Sequence, residues 1–124
     1  MTVLHESPHD GNFILSEDAE GRLSRDTIVI ASGAGKLLPG TVLGRVTASG
    51  KFAPSPETAA DGSETASAIL IGHVDATDAD AVAVGLMRHA EVNRFGLIYH
   101  ASVDDDPKKS AKWDQLRAVG IVVR

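Results

Sequence analysis

Length, composition and charge already exclude several classes of protein. The chain has 124 residues and a formal net charge of -5 at pH 7, so it fits one domain and lacks the basic balance of a general nucleic-acid binder. Because it contains no cysteine, disulfides, zinc–thiolate centres and cysteine nucleophiles are excluded. Aromatic residues make up only 4%, so aliphatic side chains must build the core. No apolar run approaches the roughly 18 residues of a membrane-spanning helix.

The first 24 residues are predicted to form a flexible arm in front of a folded domain at residues 25–124. The stretch from Met1 to about Asn12 is polar, contains Pro8 and Gly11, and shows no hydrophobic period, which is typical of a mobile segment. Its start has neither the basic nor the apolar region of a secretory signal, which predicts synthesis in the cytoplasm.

A short apolar stretch, FILS, interrupts this polar arm. It comprises Phe13, Ile14, Leu15 and Ser16, and its composition favours a β-strand. One interpretation is that the stretch adds a strand to a partner protein, with its apolar side chains as anchors. The other is that Phe13 to Leu15 pack on their own domain. The sequence leaves both open.

The rest of the chain predicts a mainly β domain. Short runs rich in β-branched and aliphatic residues are separated by Gly, Pro and Asp clusters, which is the pattern of strands and turns. Phe52 begins one short strand that the prolines after it stop. The other predicted strands cover residues 27–31, 41–47, 66–74, 81–87, 96–100 and 121–124.

One helix is predicted near the C-terminus. Asp106 suits the N-cap, Pro107 the first helical position, and Gly120 the position after the last turn. The apolar stripe of this helix is predicted to consist of Ala111, Trp113, Leu116 and Val119.

A glycine-rich stretch at residues 33–40 invites comparison with a phosphate-binding loop. That loop needs a glycine where this chain has Ile30, and Ser or Thr where it has Leu37. Gly35 and Lys36 supply only the central pair. The stretch is therefore predicted to be a connector between two strands.

The remaining motifs also predict no catalytic, cofactor or metal site. His89 and Glu91 match part of a zinc deaminase signature, but its cysteines are absent. His5 and His9 have helical spacing, yet Pro8 lies between them. Residues 104–106 are three aspartates without the EF-hand pattern, and they are better placed to cap the helix that follows. An enzyme reading would require an unrecognised site.

Several stretches resemble the head decoration protein D family of tailed bacteriophages, the family of the lambda capsid-stabilising protein. They are spread over residues 13–124 and occur in the family's order. The stretches are FILSEDAEGRLSRDTIVIASG, LPGTVLGRVTASGKFAPSP, AADGSETASAILIGHVDAT, RHAEVN and LRAVGIVVR.

The resemblance implies a fold, partners and a location. It implies a compact β-clip-like domain with little helix and no catalysis, which binds the outer surface of the expanded capsid as a homotrimer and stabilises the shell against the pressure of packaged DNA. It further implies that the N-terminal arm adds a strand to the major capsid protein, and that nucleic acid and membrane are not partners. The arm segment Phe13–Ser16 is then the predicted capsid contact.

The sequence also predicts a surface for self-association and leaves a competing function. The trimer interface is predicted around Leu37, Leu38, Pro39 and Val42, on the apolar strands and loops of residues 37–46. The competing function is a virion-displayed carbohydrate-binding or adhesive module. Such modules usually display aromatic side chains, and Tyr99 and Trp113 are nearly the only candidates.

Overall fold

The computed structural model describes residues 9–20 and 22–124, and in this part of the chain strands predominate. Strands account for 37% and helix for 14%, which confirms the predicted mainly β domain with one short C-terminal helix. The elements are β1 (Ile14–Glu17), β2 (Arg25–Ile30), β3 (Gly35–Leu37), β4 (Val42–Arg45), β5 (Phe52–Pro54), β6 (Ala66–Leu70), β7 (Val74–Ala76), β8 (Ala81–Leu86), β9 (Ala90–Val92), a 3₁₀ helix (Arg94–Gly96), α1 (Asp106–Ala118) and β10 (Ile121–Val123).

Five strands close into a barrel in the order β2-β5-β4-β6-β8. Its longest pairing is the antiparallel ribbon of β2 and β8, in which all six residues of each strand are in register. The closure is a parallel contact between Ile30 of β2 and Phe52 of β5. Inward-facing side chains, among them Ile28, Leu43 and Leu70, form one hydrophobic cluster.

A second sheet packs against the barrel. Its order is β1-β9-β10, with β1 antiparallel and β10 parallel to the central strand β9. The cluster between this sheet, helix α1 and the barrel includes Phe13, Val42, Leu86, Leu116 and Ile121. A separate two-stranded sheet joins β3 to β7.

Helix α1 begins one residue earlier than the predicted cap implies. The carboxylate of Asp105, not Asp106, accepts the backbone N–H of Lys108 at 3.0 Å, and Pro107 lies in the first turn. Gly120 follows the helix with a φ of +93°, as its predicted role after the last turn requires. No helix among residues 9–20 and 22–124 is long and apolar enough to cross a membrane.

The structure corrects two of the predicted strands and adds two others. The apolar run at residues 66–74 divides into β6 and β7, which belong to different sheets. Residues 96–100 form no strand, since their only β-type pairing is an isolated bridge from Ile98 to Thr41. Two short strands were not predicted: β3, inside the supposed connector, and β9, in the polar stretch RHAEVN.

The predicted apolar stripe of α1 is also partly wrong, because a lysine occupies the core. Ala111 and Val119 are exposed, whereas Leu116 and Lys112 are buried, the lysine to 2% exposure. The Lys112 ammonium donates to Ser55 Oγ at 3.0 Å and to the carbonyls of Pro56 and Glu64, each at 2.6 Å. It therefore ties the helix to the loop between β5 and β6. Burial lowers the pKa of Lys112 below its ordinary value.

Replacement of this lysine is expected to destabilise the fold. Lys112→Met keeps most of the aliphatic volume but leaves two carbonyls without their donor, so the free energy of unfolding should fall by about 2–4 kcal/mol. Urea denaturation measures this fall. Arg117→Met, at an exposed cation of the same helix, is the control and should change stability by less than about 0.5 kcal/mol. Equal effects of both substitutions would contradict a structural role for the buried ammonium.

Candidate functional site

The predicted capsid contact, Phe13 to Ser16, divides in the structure between core and surface. Phe13 is 1% exposed and belongs to the hydrophobic cluster beneath the second sheet, and Ile14 packs against the same cluster. Leu15 is 55% exposed, and Ser16 is exposed as well. For Phe13 and Ile14 the structure therefore corresponds to the second interpretation, packing on their own domain.

A close approach of three backbone segments holds Phe13 in place. A Cβ at Gly96 would lie 2.8 Å from the Cβ of Phe13, and one at Gly40 would lie 2.2 Å from the carbonyl oxygen of Gly96. Both distances are shorter than a real Cβ atom tolerates, so these two positions need glycine. The carbonyl of Phe13 also accepts the N–H of Asn93 at 2.8 Å.

Strand β1 pairs with β9 on one side and leaves its other edge open. β1 is the outermost strand of its sheet, and no strand among the described residues covers that edge. The register shifts between Ile14 and Ser16, so Leu15 lies at a bulge. An open edge with unpaired backbone donors and acceptors is a place where another strand can add. A groove of about 430 Å³ runs across this sheet rather than along the open edge, and its lining includes Ser16 of β1, Glu91 of β9 and Val122 of β10.

A charged network fixes the far end of β1. One oxygen of the Glu17 carboxylate accepts Arg25 Nε at 3.0 Å and Ser24 Oγ at 2.7 Å, and the other accepts Arg25 Nη2. These bonds, with that to Arg25 the largest influence, lower the pKa of Glu17 below its ordinary value. The same contact raises the pKa of Arg25. The carboxylate thus locks β1 to the start of β2.

The predicted trimer residues are only partly available at the surface. Pro39 and Val42 are buried inside the chain, and Leu37 is half-buried against the barrel cluster. In this conformation Pro39 and Val42 offer little side-chain surface to another copy, and the trimer interface at these positions stays a prediction. Leu38 is 38% exposed and remains accessible.

Two further exposed apolar groups were not predicted from the sequence. Val29 of β2 pairs directly with Val82 of β8 on the outside of the barrel, and with Val84 they form what we call the valine face. The 3₁₀ helix carries Phe95, exposed beside Tyr99 and Trp113. Alternating Ala and Val in β8 makes both of its faces apolar, so the sequence cannot say which face is covered.

The part of the chain described here brings no three metal-ligating side chains together. His, Asp and Glu residues form no group of that size among residues 9–20 and 22–124. His89, Glu91 and the aspartates at 104–106 therefore do not assemble with further ligands there. Asp104 instead binds Lys108 at 2.9 Å, and Asp105 caps α1. His5, which has helical spacing to His9 in the sequence, lies outside the described residues.

These features define the chain as a small β domain with an open strand edge and exposed apolar side chains. A family model identifies the chain more closely, and it matches residues 3–121, almost the whole sequence. The chain belongs to the bacteriophage lambda head decoration protein D family. This membership supports a structural role as a decoration protein on the phage capsid. A comparison with curated proteins finds no match.

The Glu17 network generates a prediction about acid. Because the folded pKa of Glu17 lies below the unfolded value of about 4.3, its contribution is complete above that pH and is lost as the pH falls through the folded pKa. Over that interval the unfolded state binds more protons, so stability rises with pH. Between about pH 5 and pH 3, Glu17→Gln should therefore lose less stability than the unchanged protein.

Thermal unfolding of the unchanged protein and of Glu17→Gln across this pH interval measures the stability of each. The other carboxylates titrate in both proteins, so the difference in stability between the two reports on Glu17. Hydrogen exchange at pH 7 should in addition show faster opening of β1 in Glu17→Gln, since a neutral amide holds Arg25 less strongly. Parallel stability curves for the two proteins would contradict the assigned role of the carboxylate.

Proposed function

We propose that this protein binds the outside of the expanded phage head as trimers and stabilises the shell against the pressure of packaged DNA. The observation that carries the proposal is the family match over residues 3–121. A ligand that binds only the expanded, assembled shell stabilises that state by mass action, and this requires no catalysis. The chain would then be made in the host cytoplasm and be displayed on the virion.

We further propose that the capsid contact is strand addition at β1. The open edge of β1 supports this, since it offers backbone hydrogen bonds to a strand of the major capsid protein. In this arrangement Phe13 stays in its own core as the anchor of β1, and Leu15 and Ser16 face the partner. The flexible arm of residues 1–24 remains a prediction, and residues 1–8 and 21 of it lie outside the described part of the chain.

The trimer contact calls for two different patches on each copy, because a three-fold ring is a heterologous interface. Leu38 and the valine face both present exposed apolar side chains, and they lie on different elements of the fold. We infer that Leu38 of one copy packs on the valine face of the next. Three copies joined in this way would present three β1 edges together, and weak single contacts would add up to strong binding.

Co-sedimentation with shells of the protein's own phage tests the capsid contact. The unchanged protein should sediment with expanded shells and not with unexpanded ones. Leu15→Lys should weaken binding to expanded shells by about tenfold or more, because a lysine at a strand edge opposes pairing with another strand. Its melting temperature should stay unchanged, since Leu15 is exposed.

The control for this experiment is Val119→Lys, an exposed apolar position at the end of α1 that is not part of the β1 sheet. It should bind like the unchanged protein. Equal binding to both shell forms would refute the decoration proposal itself. Full binding by Leu15→Lys would refute only the strand addition at β1.

Charge pairing across the interface tests the trimer contact. Leu38→Lys and Val82→Glu should each reduce trimers cross-linked on the shell and weaken shell binding by about tenfold or more, since avidity is lost. The double variant should recover part of the trimer yield and part of the shell binding, because the new lysine and glutamate then attract each other across the interface. A double variant no better than either single one would show that the two positions do not touch.

A further inference from the structure

An aromatic cleft lies between the 3₁₀ helix and α1, and none of the proposed contacts uses it. The chain has five aromatic residues, of which Phe13 and Phe52 are buried in the two clusters. The other three, Phe95, Tyr99 and Trp113, line a single cleft of about 270 Å³. Its polar lining consists of Arg94, Lys109 and Asp106. We call these six residues the aromatic cleft.

The cleft combines a fixed base with an exposed edge. Trp113 and Tyr99 pack against the core, and the indole N–H of Trp113 donates to the hydroxyl of Tyr99 at 2.7 Å. Burial raises the pKa of Tyr99, so its hydroxyl is neutral and can donate its own hydrogen. Phe95 is 82% exposed, which is unusual for so large an apolar side chain and typical of a binding surface.

Two cations lie over the rings of the cleft. The guanidinium carbon of Arg94 is 4.8 Å from the ring centre of Phe95 and 5.8 Å from that of Trp113. Lys109 Nζ is 5.4 Å from the ring centre of Tyr99. Within residues 9–20 and 22–124, neither cation has a carboxylate oxygen within 4 Å, although the chain carries a net charge of -5. Lys109 interacts with Asp104 only over a longer distance, and Arg94 keeps its charge for a ligand. The cleft is therefore complementary to an anionic ligand.

We propose that the aromatic cleft binds an acidic saccharide, a sugar residue that bears a carboxylate. The C–H face of a pyranose ring suits the electron-rich faces of Phe95 and Trp113. Arg94, with Lys109 beside it, takes the carboxylate, while Asp106 accepts sugar hydroxyls and the Tyr99 hydroxyl donates to a ring substituent. The volume is just below the range of about 300–1,000 Å³ for small-molecule sites, which suits one sugar residue.

Other ligands use less of this surface. A neutral sugar would leave the Arg94 guanidinium without a partner carboxylate, and inorganic phosphate would leave three aromatic faces unused. Polynucleotides are opposed by the net charge of the chain. Saccharide binding is a property of the isolated protein and goes beyond capsid decoration. The saccharide proposal and the decoration proposal can therefore fail independently.

Titration of the full chain with sugars tests the proposal. Trp113 is the only tryptophan, so intrinsic fluorescence and the single indole N–H signal in NMR both report on the cleft. The probes are tetragalacturonate and N-acetylneuraminate, with galactose as the neutral comparison. At least one acidic probe should change both signals and bind at least tenfold more tightly than galactose.

Two variants and two matched controls locate the binding. Phe95→Ala and Arg94→Gln should each weaken acidic-sugar binding at least fivefold, and both positions are exposed, so the fold should persist. Val119→Ala, at another exposed apolar side chain, and Lys36→Gln, at an exposed lysine of β3, should bind like the unchanged protein. Arg94→Lys should recover part of the affinity that Arg94→Gln loses.

The following results would overturn the proposal. The first is that neither acidic probe changes the fluorescence or the indole signal. The second is that galactose binds as tightly as the acidic sugars, or that Phe95→Ala and Arg94→Gln bind as well as their controls. The third is that Phe95→Ala and Arg94→Gln lose shell co-sedimentation, because the cleft would then be a capsid contact. Decoration of expanded shells by the unchanged protein is unaffected by the first two results.

Discussion

The packing of Phe13 against the backbone at Gly40 and Gly96 is the contact on which the rest of the structure depends. It brings together three segments that are distant in sequence: β1, the turn before β4, and the 3₁₀ helix. Backbone bonds then fasten the junction, since Gly40 donates to the carbonyl of Leu70 at 2.8 Å and accepts from Ile98 at 2.9 Å. A side chain at either glycine would separate the segments and open the core beneath the second sheet.

This junction also connects the two surfaces to which we assign binding. The N–H of Asn93 donates to the carbonyl of Phe13, the residue before β1, while the side chain of Asn93 accepts the N–H of Phe95 at 3.0 Å and caps the 3₁₀ helix. One residue therefore helps to hold the strand that offers the open edge and the helix that carries the exposed ring. The two surfaces share a rigid support but have different chemistry, one made of backbone edge and the other of aromatic rings and cations.

The sequence predicted those elements whose signals lie within a few neighbouring residues, and it missed contacts between distant residues. The strands β2, β4 and β8 and the helix were predictable because β-branched runs, an Asp-Pro start and Gly120 act within a few residues. Lys112 in the core was not, because its acceptors belong to a loop some 50 positions earlier in the chain. The aromatic cleft was not either, since residues 94–113 show no common period, and Tyr99 and Trp113 became partners only through the fold.

The same contrast bears on Phe13 to Ser16, where the sequence left open whether a flexible arm adds a strand to a partner or packs on its own domain. Ordering a free segment costs about 1–2 kcal/mol per residue in backbone entropy, and withdrawing a buried Phe costs roughly 3–5 kcal/mol. Each hydrogen bond gained at a new strand edge returns only about 0.5–1.5 kcal/mol. A four-residue strand that is already docked avoids both costs, because its outer edge is free while its inner edge stays paired. These magnitudes favour strand addition to β1 in place over its release, since a preordered edge keeps more of its contact energy as affinity.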